Sequence, residues 1–354
     1  MSKKVGIILV NYKDYVNRFL AECRDSLREQ TYSDFRVYIV DNASTKETRD
    51  YIKDNYPEAV VLPRKDGNYS AANNLGIKRA GDDGCQYFVI ANMDTSFDCN
   101  WLKELVLAMD DKKEAAFIQS KILFYPQEAG EGSFSKINSL GNIINFLGFG
   151  FTSFYSEPDR EIKGFPEIGY ASGCSFITTK EVIDKIGYYD EEYWMYHDDL
   201  EMGWRARLAG YKIYLAPESV VYHKYEFSRS IRMLYYMERN RYLSILHYYR
   251  WPTLVLISPA ILAMELGMIL YSIPGKWFLV KMRSNLYFLN PFNWIKIFRK
   301  RGMVKKVRNR KDREVMISFQ GRIMFQEIDN PVLKYLANPI LDLYWNIIKK
   351  IIIW

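Results

Sequence analysis

The stretch VGIILVNY, Val5 to Tyr12, decides how the rest of this 354-residue chain is read. Val5–Val10 is an unbroken apolar run, too short for a core helix and typical of a strand covered on both faces. Asn11 closes it with a polar side chain. Outward from this strand, the first hundred residues alternate strand and helix patterns. Asn11–Glu29 carries apolar residues at helical spacing, and Arg36–Val40 is a second strand ending in Asp41-Asn42-Ala43-Ser44. Thr45–Asn55 reads as a charged helix, Ala59–Leu62 as a third strand and Ser70–Ala80 as a helix. Tyr87–Ala91 is a fourth strand, ending in Asn92-Met93-Asp94-Thr95. Strands separated by helices of this length form βαβ units, so an α/β fold is expected, with a mostly parallel sheet flanked by helices. Ligands of such sheets sit beyond the carboxyl ends of the strands. Asn11, Asp41 and Asp94 all fall at such ends.

Past Asn100 the pattern loosens. Pro126–Arg160 is rich in Gly, Ser and aromatic residues and reads as a long loop system able to cover a site. Ile168–Thr178, IGYASGCSFIT, is strand-like, with small residues at its centre that let a backbone or ligand approach. Asp198-Asp199-Leu200-Glu201 then opens a helical segment, HDDLEMGWRARLAG, and His223 ends a short apolar strand, SVVYH. Three acids in four residues repel one another and are costly to bury without compensation, which suits proton abstraction. They equally suit the positive end of a helix dipole. Both readings stand on these residues alone.

Net charge is +7, unevenly placed. From Lys276 to Arg313 there are thirteen Lys or Arg and one acid, Asp312, a local net of +12, while the remainder is mildly acidic. A basic segment interleaved with Trp277, Phe278, Tyr287, Phe288, Phe292, Trp294 and Phe298 is directed at something anionic. The neighbouring apolar stretches favour an anionic membrane surface over nucleic acid. Thr253–Ile273 holds one charge, Glu265, and one internal proline, Pro259; as a helix it would reach roughly 30 Å, a bilayer's hydrocarbon thickness. Leu333–Trp354 is also apolar but carries Asp342, Lys349 and Lys350. The cysteines Cys23, Cys85, Cys99 and Cys174 form no CxxC pair and read as reduced thiols. The start, MSKKVGIILVNYKDY, turns polar too soon for a signal peptide and reads as a first strand.

In order along the chain stand VNY (Val10 to Tyr12), VDNAS (Val40 to Ser44), GNYSAANNLG (Gly67 to Gly76) and NMDT (Asn92 to Thr95). SGCSF (Ser172 to Phe176), DDLEMGWR (Asp198 to Arg205) and VYH (Val221 to His223) follow. Together these resemble the inverting family 2 glycosyltransferases of GT-A fold, in particular the rhamnosyltransferase-like branch of surface polysaccharide assembly. The resemblance covers roughly residues 5–245. It implies a nucleotide-binding half over 1–99 and an acceptor-binding and catalytic half over 100–230, while the basic, aromatic and apolar composition gives a helical, membrane-associating region over 231–354.

The resemblance implies roles residue by residue. Asp94 and His223 would hold a divalent cation, Mg²⁺ or Mn²⁺, on the donor diphosphate. A carboxylate and a neutral imidazole are suitable ligands. His223 could instead cap a strand end through a core hydrogen bond. Asn92, in the Asn form of the Asp-X-Asp pattern, would orient the donor sugar or ribose. Asp41 would accept a hydrogen bond from a uracil or thymine base, against the plainer reading of a strand-end turn. Asn11 and Asn73 would also face the donor. At the turn before Gly76, Asp66 and Asn68 stand where the family has Asn and Gly; Asn tolerates positive φ, so the turn survives. Asp199 would be the general base, with Asp198 and Glu201 as its setting. Trp204 would stack on the acceptor or pack in the core, and Arg205 would meet the acceptor, a phosphate or the acids. Arg239 and Arg241 would clamp the diphosphate or lie on a solvated helix face.

The function implied is transfer of a sugar from a UDP- or dTDP-sugar to a glycan hydroxyl. The acceptor would be lipid-linked, at the cytoplasmic face of the cell membrane, with the protein attached through its C-terminal region. A nucleotidyltransferase would need a Gly-rich, lysine-bearing phosphate loop after the first strand, and VNYKDY offers none. A non-catalytic membrane-bound scaffold would not need the run of acids and His223.

Overall fold

The computed structural model describes residues 4–126, 135–225, 234–324 and 330–354. Its contacts divide the chain into two units, each assembled from separated segments. Unit 1 comprises Met1–Asn142, Thr152–Met195 and Tyr211–Tyr225; unit 2 comprises Ile143–Phe151, Tyr196–Gly210 and Glu226–Trp354.

Unit 1 is built on the strand that opens the sequence. β1 (Val5–Tyr12) buries Ile7, Ile8 and Leu9 completely, each of them contributing roughly 1.5–3 kcal/mol by leaving water. After it come α1 (Tyr15–Arg28), β2 (Phe35–Asn42), α2 (Lys46–Asn55), β3 (Val60–Arg64), α3 (Tyr69–Asp82) and β4 (Tyr87–Asn92). β1 pairs in parallel with β2 on one side and β4 on the other, and β2 with β3, as the alternating pattern requires. The helix expected from Asn11 begins later, at Tyr15, because the parallel ladder to β2 extends through Tyr12↔Asn42. α3 lies close on β1 because Gly76 carries no Cβ; one there would stand 2.6 Å from the Ile8 Cγ2.

The second half of the sheet comes from the stretch that looked irregular. β5 (Thr95–Phe97), α4 (Trp101–Asp111), β6 (Ala115–Phe124), β7 (Ile137–Ser139), β10 (Ser175–Thr179), α5 (Lys180–Ile186) and β11 (Lys212–His223) belong to it. The sheet order is β3-β2-β1-β4-β10-β6-β11-β5, with β7 added to β6. β10 runs antiparallel to both β4 and β6, while β11 is parallel to β6. Within the strand-like run Ile168–Thr178, only the end from Ser175 is strand. Of the expected loop Pro126–Arg160, residues 127–134 lie outside the described residues. The rest includes β7 and a small hairpin, β8 (Asn142–Ile144) with β9 (Gly150–Thr152).

Unit 2 is helical: α6 (Asp198–Leu208), α7 (Leu234–Tyr248), α8 (Trp251–Ser272), α9 (Phe278–Leu286), α10 (Pro291–Val307), α11 (Asp312–Val315) and α12 (Asn338–Ile351). Its core is aromatic. The Trp204 ring lies 4.8 Å from Tyr249, 4.9 Å from Phe319 and 5.6 Å from Tyr248, centroid to centroid. Phe146 stacks on Trp345 at 4.9 Å. Among the described residues α8 is the one helix long and apolar enough to cross a membrane, and it is mostly exposed in the unit. It continues through Pro259, and its single acid, Glu265, is turned to Lys281 of α9 at 2.7 Å, to Asn285 at 2.7 Å and to Tyr242.

Candidate active site

In unit 1 the polar residues gather at carboxyl strand ends. Asn11 sits in register with Asp41 on β2, and Val10 with Asn92 on β4. Asn11 donates its Nδ2 to Asp41 Oδ1 at 2.7 Å, while its own Oδ1 accepts from the Val16 backbone N–H. The other Asp41 oxygen accepts from the Thr48 hydroxyl at 2.8 Å. Asp41 is fully buried yet both oxygens are paired, and each keeps a second lone pair for a ligand donor. Asn92 accepts from the Tyr69 hydroxyl at 3.2 Å.

The turn leading into α3 departs from expectation. Gly67, at φ +80°, takes the left-handed position, whereas Asn68 has φ −71° and caps the helix by accepting from the Ala71 N–H at 3.0 Å. The residue without a Cβ absorbs the strained conformation, and the amide does what Asn does best, capping. Farther along α3, the buried Asn73 donates to the Tyr69 carbonyl, but its Oδ1 has no donor among the described residues, and neither has the Ser70 hydroxyl. An acceptor without a donor in the protein is available to a ligand hydroxyl or water. Asn74 holds the 189–191 segment, through Tyr189 and Glu191.

Asp94 follows β4 in a tight turn, and His223 ends β11 opposite Thr95. Asp94 Oδ1 stands 3.5 Å from His223 Nε2, both groups nearly buried. His223 Nδ1 lies 3.1 Å from Asn138 Oδ1, so the ring donates there and aims Nε2 at Asp94. Burial works against the imidazolium, but the charges and hydrogen bonds of Cys174 and Asp94 outweigh it and raise His223 to about 10. A position where two donors concentrate a proton suits a divalent cation, which replaces that proton on binding. Among the described residues no three His, Cys, Asp or Glu side chains form a complete metal site. The Asp94–His223 pair would hold such a cation only with further ligands from outside the protein.

In unit 2 the acids differ from one another. Asp198 is buried; loss of hydration first, then the charges of Asp199 and Glu201, push its pKa up to about 8. Asp199, half-buried, accepts from the Leu200 N–H at 2.7 Å. Burial and like charge therefore favour the protonated form of Asp198 near neutral pH. Glu201 is fully buried and compensated: Arg205 lies 2.8 Å away, Lys300 3.3 Å away, and the Tyr248 hydroxyl donates to it. Before α6, Tyr196 and His197 adopt left-handed φ of 62° and 60°, strained for non-glycine residues. Two contacts hold that turn: His197 Nε2 to the Gly148 carbonyl at 3.1 Å and Asn240 Nδ2 to the Tyr196 carbonyl at 2.7 Å. Burial pulls His197 down to about 4, so its ring is neutral.

Trp204 and Arg205 take alternatives already open to them, packing and pairing with an acid, whereas the solvated helix face expected for Arg239 and Arg241 needs correction. Trp204 is enclosed by aromatic rings, so it packs and does not stack on an acceptor. Arg205 is committed to Glu201 inside the unit. Arg239 and Arg241 lie on no solvated face. Arg241 is 1% exposed, paired with Glu238 at 3.0 Å and with the Leu147 carbonyl, which leaves it no free charge for a diphosphate. Arg239 is bound to Asn240 and surrounded by the rings of Tyr235, Tyr236 and Tyr287. Sequence reasoning passed over Asn138, His197, Tyr248 and Lys300. Only His197, beside the acids, carried a signal that could have flagged it.

Comparison with known proteins places these observations among relatives. The family model described as Glycosyl transferase family 2 matches residues 6–187. The chain is 28% identical over 261 residues to the O-antigen biosynthesis protein RfbC of Myxococcus xanthus, across 70% of this chain and 19% of that protein. It thus spans about a fifth of that relative's length. It is 26% identical over 243 residues to an N-acetylglucosaminyl-diphospho-decaprenol L-rhamnosyltransferase of Mycobacterium tuberculosis, across 63% of this chain and 77% of that one. Among solved structures, that of GalNAc-T7 with UDP, GalNAc and Mn²⁺ matches with a TM-score of 0.52 at 15% identity, covering 70% of this chain and 48% of that chain. That likeness is one of fold.

Proposed function

The chain belongs to glycosyl transferase family 2, and on that premise we propose that it transfers a sugar, with inversion, from a UDP- or dTDP-sugar to a hydroxyl of a lipid-linked glycan. Asp199 accepts the acceptor proton as the hydroxyl oxygen attacks the anomeric carbon. The new C–O bond forms opposite the breaking one, and the nucleoside diphosphate leaves with the electron pair. Asp198 keeps its proton and so spares Asp199 a full neighbouring charge. Glu201, neutralised by Arg205 and Lys300, anchors the helix that carries the base. In unit 1, Asp41 and Asn11 receive the base, and Asn73 and Asn92 orient ribose or sugar. Asp94 and His223 would hold Mg²⁺ or Mn²⁺, whose charge, when bound, stabilises the leaving diphosphate.

The observation that carries this reading is the Asp94–His223 pair, with a ring nitrogen aimed at a carboxylate and the second nitrogen tied to Asn138. The decaprenol-linked substrate in the mycobacterial relative's name supports a lipid-linked acceptor, hence action at the cytoplasmic face of a membrane where nucleotide-sugars are available. The test pairs donor binding with turnover. A thermal-shift panel of UDP- and dTDP-sugars with Mn²⁺ should reveal a stabilising donor. Asp199→Asn should then lower transfer by about 10²–10⁴-fold while donor binding persists. Wild-type turnover in that variant removes Asp199 as the base, and stabilisation by no nucleotide-sugar removes the donor class.

A further inference from the structure

We propose that unit 2 carries a docking surface for anionic phospholipid, centred on a three-cation cleft formed by α11 and α12 and distinct from the residues assigned above to donor, metal and general base. This deepens the reading of a lipid-linked acceptor and rests on it for the nature of the surface. The cleft, about 220 Å³, is lined by Arg313, Lys349 and Lys350 together with Met316, Ile317 and Ile352. Among the described residues none of the three cationic groups has a carboxylate partner, unlike the exposed helical Arg79 and Lys180, which pair at i+4 with Asp83 and Asp184. Unpaired cations crowded at one mouth repel each other, and a phosphate relieves that repulsion. Apolar walls beneath a cationic rim match the two parts of a phospholipid, the headgroup and the first acyl carbons.

The surface around the cleft fits the same ligand. α12 is two-sided: Leu341, Trp345 and Ile348 are buried, while Ile340, Leu343, Ile347 and Ile351 form a second apolar stripe in the open. A soluble helix would carry charge there. Ile317, beside the cleft, is 83% exposed. α8 repeats the theme with Val255, Leu262, Leu266, Leu270 and Ile273 open along one face. Because Glu265 is paired inward with Lys281, that face is free of charge. Lys281 is itself wholly buried between Glu238 and Glu265, which fixes α9 across the other side of α8. A helix so tied to charged neighbours lies along a membrane surface and does not span it. The +12 segment supplies the long-range attraction, and the apolar stripes supply the contact.

The test is vesicle co-sedimentation of the whole chain, on phosphatidylcholine alone and on phosphatidylcholine with phosphatidylglycerol. Binding is expected to the anionic vesicles and to weaken with salt. Arg313→Gln/Lys349→Gln/Lys350→Gln should partition about a hundredfold more weakly, since each basic residue near an anionic surface contributes about a fivefold factor. Leu343→Asp/Ile347→Asp should lose binding even at low salt, with an unchanged melting temperature showing that the unit is folded. Equal binding to neutral vesicles, or wild-type binding by the triple variant, overturns the proposal. So does displacement by millimolar inorganic phosphate, which would make the cleft a phosphate site. A dimer that Leu343→Asp/Ile347→Asp converts to monomer, with vesicle binding intact, overturns it in favour of a second copy on this face. Transfer to a short water-soluble acceptor is measured alongside and should be unchanged in every variant. Its absence in the wild type would sink the transferase reading and leave the vesicle result standing.

Discussion

Adjacent Asp198 and Asp199 have the same chemistry and different surroundings, and the surroundings assign the proton. Asp198 is buried next to like charge, which raises its pKa to about 8, far above an unfolded aspartate near 3.8. The folded chain therefore binds more protons than the unfolded chain between those values. The contribution is fully present below about pH 4 and is lost as pH rises toward about 8. Asp198→Asn removes that titration, so its melting temperature should gain on the wild type between pH 5 and pH 9, by several degrees at the alkaline end. Melts of both proteins across this range check it; a difference constant with pH would mean Asp198 does not hold the proton. At this scale the sequence disclosed identities but not environments. The acids, Asp94 and His223 were legible because they stand in a recognisable order. Asn138, which orients His223, was not: it is separated by 85 positions and sits in a stretch with no periodicity. The left-handed turn at Tyr196 and His197 was equally hidden, since non-glycine residues adopt that conformation only in a few per cent of cases and Tyr is not among those enriched in it.

Whole elements were legible in proportion to how simply they are buried. β1 to β4 are apolar runs separated by striped helices, and their parallel pairing follows from that pattern. β6 is buried as thoroughly, but Gln119 and Ser120 interrupt its apolar run. They are tolerated because partners are at hand: Ser120 accepts from the Trp101 indole at 3.0 Å, and Gln119 Oε1 accepts from the Ser172 N–H at 2.8 Å. Polar residues with internal partners disguise a core strand as a surface one. α6 defeats pattern reading differently, because it is buried nearly all round and shows no stripe. Its apolar anchor is Trp204. Trp204→Ala should cost about 3–5 kcal/mol through the cavity left among Tyr248, Tyr249 and Phe319. Urea unfolding measures this, and Trp204→Phe should restore most of the loss without raising the KM for acceptor. A folded Trp204→Phe protein with a greatly raised KM would return the ring to the acceptor site.

At the scale of the whole molecule, what matters is how the chain is distributed between its units. Composition changes once, near residue 231, and suggests a tail added to an α/β body. The contacts instead bring Ile143–Phe151 and Tyr196–Gly210 into the same unit as the C-terminal helices. No property of those two segments read singly reveals this, since their partners lie up to about two hundred residues away, as Phe146 and Trp345 do. The consequence is physical. A fragment ending at Tyr225 keeps Glu201 but loses Lys300 and the Tyr248 hydroxyl, leaving a buried carboxylate with Arg205 alone. It also keeps Trp204 and Phe146 but strips away Tyr248, Tyr249, Phe319 and Trp345. Losing two of the three groups that compensate a buried carboxylate, together with the aromatic packing, weighs heavily against a domain's net stability of about 5–15 kcal/mol. The fragment 1–225 should therefore bind a hydrophobic dye and melt without the cooperativity of the full chain, with the α6 region the first to exchange its amide protons. A fragment that unfolds in one sharp transition, with α6 protected as in the whole protein, would show that the helix carrying the proposed base holds its place without the C-terminal helices. The base would then be independent of the surface proposed to meet the membrane.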